Sequence, residues 1–276
     1  MVMFLSEQNW RFLNQSKEML LKSPLYSFGT DDTLCHLVGH NQSEAVVRSW
    51  VHKKSVVLGI QDHRLPSIEQ AKQYLLSKGY EPIVRNSGGL AVVLDEGILN
   101  ISLVFKEQGK ISIDQAFTIM VDFIKLLIPE AAHKIEVYEI VGSYCPGSFD
   151  LSIGGKKFAG ISQRRMQNGI AVQIYLCVEG SGSERAAFIR DFYNIGIQGG
   201  EVKYSYPDVH PEVMASLQEL LGNPLLTVEQ LNNNIPKVLS QISTVKDFGV
   251  FQEEEQELFK YYLNRIFKRN ESLLKK

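Results

Sequence analysis

With 276 residues, 44% of them hydrophobic and 22% charged, the chain has the composition of an ordinary soluble globular protein, long enough for one or two domains with a sizeable core. A formal net charge of -2, with no Lys/Arg cluster on a predicted helix, excludes the electrostatic footprint of a nucleic-acid binder. The N-terminal MVMFLSEQNWRFLNQ lacks a basic start and a long apolar stretch, and no later run reaches membrane-spanning length, so a cytoplasmic protein with no membrane partner is expected.

In chain order, LCHLVGH, EAVVRSW and SVVLGIQD read as early strands. After Pro66, SIEQAKQYLLSKG reads as an amphipathic helix, with Ser67 and Gln70 at capping-box spacing and Gly79 as its stop. EPIVRNSGGLAVVLDEGILNISLVF then predicts strand, glycine loop, strand, turn and strand, with Leu99, Ile101, Leu103 and Phe105 alternating against Asn100, Ser102 and Val104. A second helix spans about 112–127, placing Ala116, Ile119, Met120, Phe123 and Leu127 on one face. KIEVYEIVG reads as a strand entering a turn at Cys145. In FDLSIGGKKFAGIS the pair Gly154-Gly155 marks a two-residue hairpin, and GIAVQIYLCVEG is the strand that closes the β-rich part. Beyond residue 200 the pattern is helical: Pro211 to Leu221, Thr227 to Ile242 with a boundary or kink at Pro236, and Phe251 to the end, where EEEQE precedes KRNESLLKK in the order that suits a helix dipole.

These elements predict an α+β fold: a mixed or antiparallel sheet with flanking helices over residues 1–200, and a helical C-terminal extension over 201–276 packed on the same domain. Without regular βαβ alternation, a doubly wound nucleotide fold is not expected.

Three cysteines, an odd number without metal-type spacing, support neither a disulfide framework nor a metal site. Cys35 and Cys177 fall in apolar runs and read as small buried hydrophobes. Cys145 differs, because it lies in the turn Gly-Ser-Tyr-Cys-Pro-Gly. A thiol is nucleophilic as thiolate, which needs a neighbouring cation, metal or helix N-terminus. A two-residue turn at Gly154-Gly155 sets Ile153 opposite Lys156 and Ser152 opposite Lys157, bringing Lys157 to the face shared by Asp150 and Ser152. From there a lysine can stabilise the thiolate or exchange protons with it. The loop Arg85-Asn86-Ser87-Gly88-Gly89 has two readings: close approach of backbone amides to a ligand or oxyanion, or a plain turn. The six histidines lie outside these segments and read as surface or strand-packing residues. His36 and His40 would share a strand face but lack a third metal ligand.

An Arg-x-x-Gly-Gly loop running into AVVLDEGILNISLVF, a cysteine turn, and GGKKFAGISQ followed by VQIYLCV resemble, in that order, the lipoate-protein ligase and octanoyltransferase superfamily. The likeness spans about 33–180 and is greatest to the amidotransferase branch, which moves octanoyl groups from the glycine-cleavage H protein to other lipoyl domains. The resemblance implies a biotin/lipoate-protein-ligase-like catalytic domain that needs no cofactor. Its donor is the H protein, and its acceptors are lipoyl domains of 2-oxoacid dehydrogenases. It also implies that Cys145 is the acyl-accepting thiol, that Lys157 in Lys157-Phe158-Ala159-Gly160 is the site lysine, and that Arg85, Ser87, Gly88, Gly89, Ala159 and Gly160 contact substrate. Many relatives carry His where this chain has Leu94 and Ile174, which leaves the general base unassigned. Transfer from octanoyl-acyl carrier protein and ATP-dependent lipoate ligation remain the alternative readings.

Overall fold

The computed structural model describes residues 2–109, 111–202 and 204–274. Its elements in chain order are α1 Val2–Ser6, β1 Trp10–Gln15, α2 Pro24–Gly39, β2 Ala45–Trp50, β3 Ser55–Leu58, α3 Ile68–Ser77, β4 Glu81–Val84, β5 Val92–Leu94, β6 Ile98–Lys106, α4 Ile113–Leu127, β7 Glu136–Val137, β8 Leu151–Ile153, β9 Lys156–Met166, β10 Gly169–Cys177, α5 Gly182–Gly196, α6 Leu217–Leu221, α7 Val228–Ser240, β11 Val245–Asp247 and α8 Glu253–Leu274.

The main sheet has the order β11-β1-β2-β6-β10-β9-β8-β7 and a second, three-stranded sheet the order β4-β3-β5. Both are mixed, since β11, β1 and β2 pair in parallel, as do β3 and β4, while the other pairings are antiparallel. The alternation of β6 places Leu99, Ile101, Leu103 and Phe105 in the largest core, against Ala116, Ile119, Met120, Phe123 and Leu127 of α4 and Leu231, Ile235 and Leu239 of α7. On the opposite face of the main sheet, Leu34, Cys35 and Val38 of α2 pack on Val46, Val104 and Ala171. A third cluster joins the small sheet to α3, α5, Phe28, Trp50, Tyr144 and Tyr175. Beyond residue 200 the chain adds a strand to the main sheet through β11, helix α7 to the largest core, and α8 against α2, where Tyr262 bonds His36 Nδ1 at 2.9 Å. Lys275 and Lys276 of the basic run lie outside the described residues.

Several expectations are corrected. LCHLVGH is the last part of α2 and its C-cap His40, so His36 and His40 are one turn apart with rings stacked at 4.3 Å rather than neighbours on a strand face. Of the 16 residues of α2, 14 are buried, so it carries no amphipathic stripe to reveal it. Ser67 makes no cap; its hydroxyl donates to the Gln198 carbonyl at 2.6 Å, whereas Ser112 and Gln115 form a reciprocal capping box on α4. The strand expected in KIEVYEIVG is only Glu136–Val137, because Ile140 N–H bonds the Asp150 carboxylate at 3.2 Å instead of a ladder partner. Pro211 to Leu221 divides into a 3₁₀ turn over Pro211–Val213 and α6, and α7 runs through Pro236. Among the described residues no helix is long and apolar enough to cross a membrane.

Candidate active site

The hairpin between β8 and β9 forms in the expected register, Ser152 opposite Lys157 and Ile153 opposite Lys156, with both turn glycines at positive φ (58° and 73°). Lys157 thereby reaches Asp150, with Nζ 2.9 Å from Oδ1 and both side chains almost wholly buried. Burial pushes the Asp150 carboxyl above its ordinary range, opposed by the adjacent Lys157 ammonium. The other carboxylate oxygen accepts the Ile140 and Gly147 amides, each at 3.2 Å. One side chain thus ties together both flanks of the Cys145 turn. From below, Lys157 Nζ donates to the carbonyls of Cys145 (2.8 Å) and Tyr144 (3.1 Å) and to Ser143 Oγ (3.2 Å). Cys145 itself holds φ = 48°, a left-handed conformation unusual for a residue with a Cβ and found where the surroundings over-determine the backbone.

The turn presents the thiol to the glycine loop between β4 and β5. Leu90 N–H donates to Sγ at 3.1 Å and Arg85 Nη2 does so at 3.3 Å, while the same Nη2 also bonds the Leu90 carbonyl. Gly89 has φ = 111°, and a Cβ there would meet Arg85 Nη2 at 2.1 Å and Cys145 Sγ at 3.0 Å, so only glycine fits. Arg85 Nε and Ser87 Oγ are buried without a hydrogen-bond partner among the described residues. The cation beside the sulfur is therefore Arg85, whereas Lys157 bonds the backbone under it. Cys35 and Cys177 are fully buried; burial raises both thiols, Cys177 to about 12. Of the three cysteines, Cys145 alone is partly accessible.

Cys145 lines a cavity of about 340 Å³. Phe28, Trp50, Val57, Val92 and Leu94 form an apolar wall, Ile113 and Phe117 another, and Asn100, Ser162 and Gln173 a polar patch. Arg85, Ser87, Gly88, Gly89, Lys157 and Gly160 also line it; Ala159 does not, because its side chain is buried in the largest core. A bulge between Leu151 and Ser152 shifts the register after Lys157 and accounts for that inversion. Sequence reasoning missed Asp150 as organiser of the turn, Leu90 as amide donor, and Phe28 and Trp50 as wall. The acidic residue between two strands was visible, but the other three act through chain segments far apart.

Residues 23–240 match the model of the lipoyl protein ligase A/B catalytic domain. The chain belongs to the lipoyl protein ligase A/B family. A relative from Lysinibacillus sphaericus (strain C3-41), named octanoyl-[GcvH]:protein N-octanoyltransferase, is 57% identical over 99% of this chain and 98% of its own. One from Staphylococcus aureus (strain NCTC 8325 / PS 47) with the same name is 46% identical over 96% and 95%. Among solved structures the fold is similar to lipoate-protein ligase A bound with ATP, with TM-score 0.68, 16% identity, and 94% of this chain and 95% of that one covered. It is also similar to the bipartite lipoate protein ligase of Thermoplasma acidophilum, with TM-score 0.62, 16% identity, and 94% and 93% covered. Within the lipoyl protein ligase A/B family, this chain is thus one in which a cysteine turn and a glycine loop meet in the lining of a largely apolar cavity.

Proposed function

We propose that this protein is a cysteine-dependent N-octanoyltransferase that takes octanoyl from a lysine of GcvH, the glycine-cleavage H protein, and delivers it to lysines of 2-oxoacid dehydrogenase lipoyl domains. The observation that carries this reading is the Cys145 thiol, partly exposed at an apolar cavity and held by Arg85 and Leu90, in a chain 57% identical to a relative bearing that name. The thiolate is the reactive form of a cysteine, and here a guanidinium and an amide donate to the sulfur. It attacks the octanoyl amide carbonyl, forming a C–S bond while the carbonyl oxygen takes up negative charge. Leu90 N–H and Arg85, which reach the sulfur, are the donors offered to that oxygen. Collapse breaks the C–N bond, the donor lysine leaves as an amine after gaining a proton, and octanoyl remains on Cys145 as a thioester. An unprotonated acceptor lysine then attacks the thioester, loses a proton and expels the thiolate. Val57, Val92 and Leu94 offer the acyl chain an apolar wall, and Ser87 Oγ is free to bond substrate.

One amide is exchanged for another, so the reaction is nearly isoenergetic and needs no nucleotide. The test is intact-mass analysis after mixing the enzyme with octanoyl-GcvH and an unmodified lipoyl domain. An octanoyl adduct on the native enzyme, none on Cys145→Ala, retention by Cys35→Ala and Cys177→Ala, and the same carrier mixture approached from either side are expected. Transfer by Cys145→Ala, or dependence on ATP, overturns the reading.

A further inference from the structure

Tyr193 of α5 and Asp62 line no part of the cavity, yet they bond to the loop that touches the thiol. The Tyr193 hydroxyl donates to Asp62 Oδ1 at 2.9 Å and accepts the Ala91 amide at 3.2 Å; Asp62 Oδ2 accepts Gly59 N–H at 2.7 Å. Both side chains are almost wholly buried, and the Tyr193 ring is covered by Tyr206, whose hydroxyl bonds the Gln61 carbonyl at 2.8 Å. Burial raises the Asp62 carboxyl to about 6, so near neutral pH its carboxylate accepts the tyrosine proton. The hydroxyl has one proton, and with that proton given to Asp62 its oxygen is left to accept from Ala91.

Ala91 N–H and the Leu90 carbonyl are two ends of one planar peptide. Tyr193 holds the N–H end; Arg85 Nη2 holds the carbonyl end and also reaches Cys145 Sγ, as does Leu90's own N–H. We propose that Tyr193, aligned by Asp62, is a positioning residue that fixes the Leu90–Ala91 peptide so that Leu90 N–H and the Arg85 guanidinium converge on Cys145. The inference rests on the reading of Cys145 as the acyl-accepting thiol. Without the hydroxyl the peptide loses its anchor at one end, its carbonyl is free to swing away from Arg85, and the thiolate loses both donors. Asp62→Asn acts through the same link: Gly59 and Tyr193 bond different carboxylate oxygens, and the amide puts an NH2 in place of one of them, so one of those donors meets another donor.

The test is the rate at which iodoacetamide alkylates Cys145, read by mass spectrometry at about pH 7 and about pH 9.5. In Tyr193→Phe the rate near pH 7 is expected to fall about tenfold, the effect of misplacing hydrogen bonds to a charged group, and to match the native rate near pH 9.5, above the ordinary range of free thiols. Asp62→Asn is measured in the same way with the same expectation, and serves alone if Tyr193→Phe does not fold. Unchanged rates at both pH values, or equal slowing at both, overturn the proposal. Alkylation involves no acyl donor, so the outcome is separate from the transfer assay on Cys145→Ala.

Discussion

Lys157 has three ammonium protons and four acceptors around it: Asp150 Oδ1, the Cys145 and Tyr144 carbonyls, and Ser143 Oγ. None is left over for the sulfur. Its chemical effect is therefore to hold the left-handed Cys145 backbone and to neutralise a buried carboxylate. Lys157→Ala strands Asp150 without its cation and is expected to cost about 3–5 kcal/mol of stability together with acyl-enzyme formation. Lys156, the exposed neighbour on the other strand face, should tolerate alanine within about 0.5 kcal/mol. Chemical denaturation and intact-mass detection of the octanoyl adduct check both, and equal losses at the two positions would contradict the hairpin geometry.

At the scale of elements, the glycine loop is short and has no ladder of its own, so it depends on what packs around it. Gly59 abuts it so closely that a Cβ there would lie 2.0 Å from the Gly89 carbonyl, and Asn86 bonds Asp32 of α2 at 3.2 Å. Helix α8 contributes as well: buried Asn270 Nδ2 donates to the Val84 carbonyl at 2.6 Å, at the residue where β4 ends and one before Arg85. Asn270→Ala leaves that carbonyl without its donor and is expected to lower stability by about 1–3 kcal/mol, measured by urea unfolding. If the variant unfolds at the native midpoint, α8 does not secure the base of the loop.

At the scale of the whole molecule, a buried polar chain crosses from the cavity through α2 to the far end of β2. Gln173 Nε2 bonds Asp31 at 2.6 Å, Asp31 pairs with Arg48 at 2.8 Å, Arg48 Nη2 donates to Ser27 Oγ at 2.8 Å, and Ser27 meets His52 Nε2 at 2.9 Å. His52, expected from the sequence at a surface or strand-packing position, is fully buried; burial first, and then the Arg48 charge, push its pKa down from 6.5 to about 4. The unfolded chain takes up the proton first as pH falls. The stabilisation from neutral His52 is thus complete above 6.5 and is lost on descending through the folded value near 4. Between about pH 7.5 and pH 5 the native protein should lose about 2 kcal/mol more stability than His52→Gln, measured by urea unfolding at both pH values. Parallel losses in the two proteins would mean that His52 is not the titrating group.

The sequence by itself determined the α+β class, the alternation of β6, the apolar face of α4, the hairpin register at Gly154-Gly155 and the burial of Cys35 and Cys177 in apolar runs. Each of these is set by neighbours within a few residues, through strand period, helix period or turn stereochemistry. Only the tertiary structure decided that Leu34–Gly39 is helical, because a helix buried nearly all round shows no period. It also assigned the cation beside the thiol to Arg85, a contact across 60 residues of chain, set Lys157 Nζ against the Cys145 carbonyl, and turned Ala159 into the core through a bulge no local pattern announces. Tyr193 reaches Ala91 across 102 residues. The chain's own periodicities specify which face of an element is buried; which distant side chain meets that face is settled only when the sheets and helices pack.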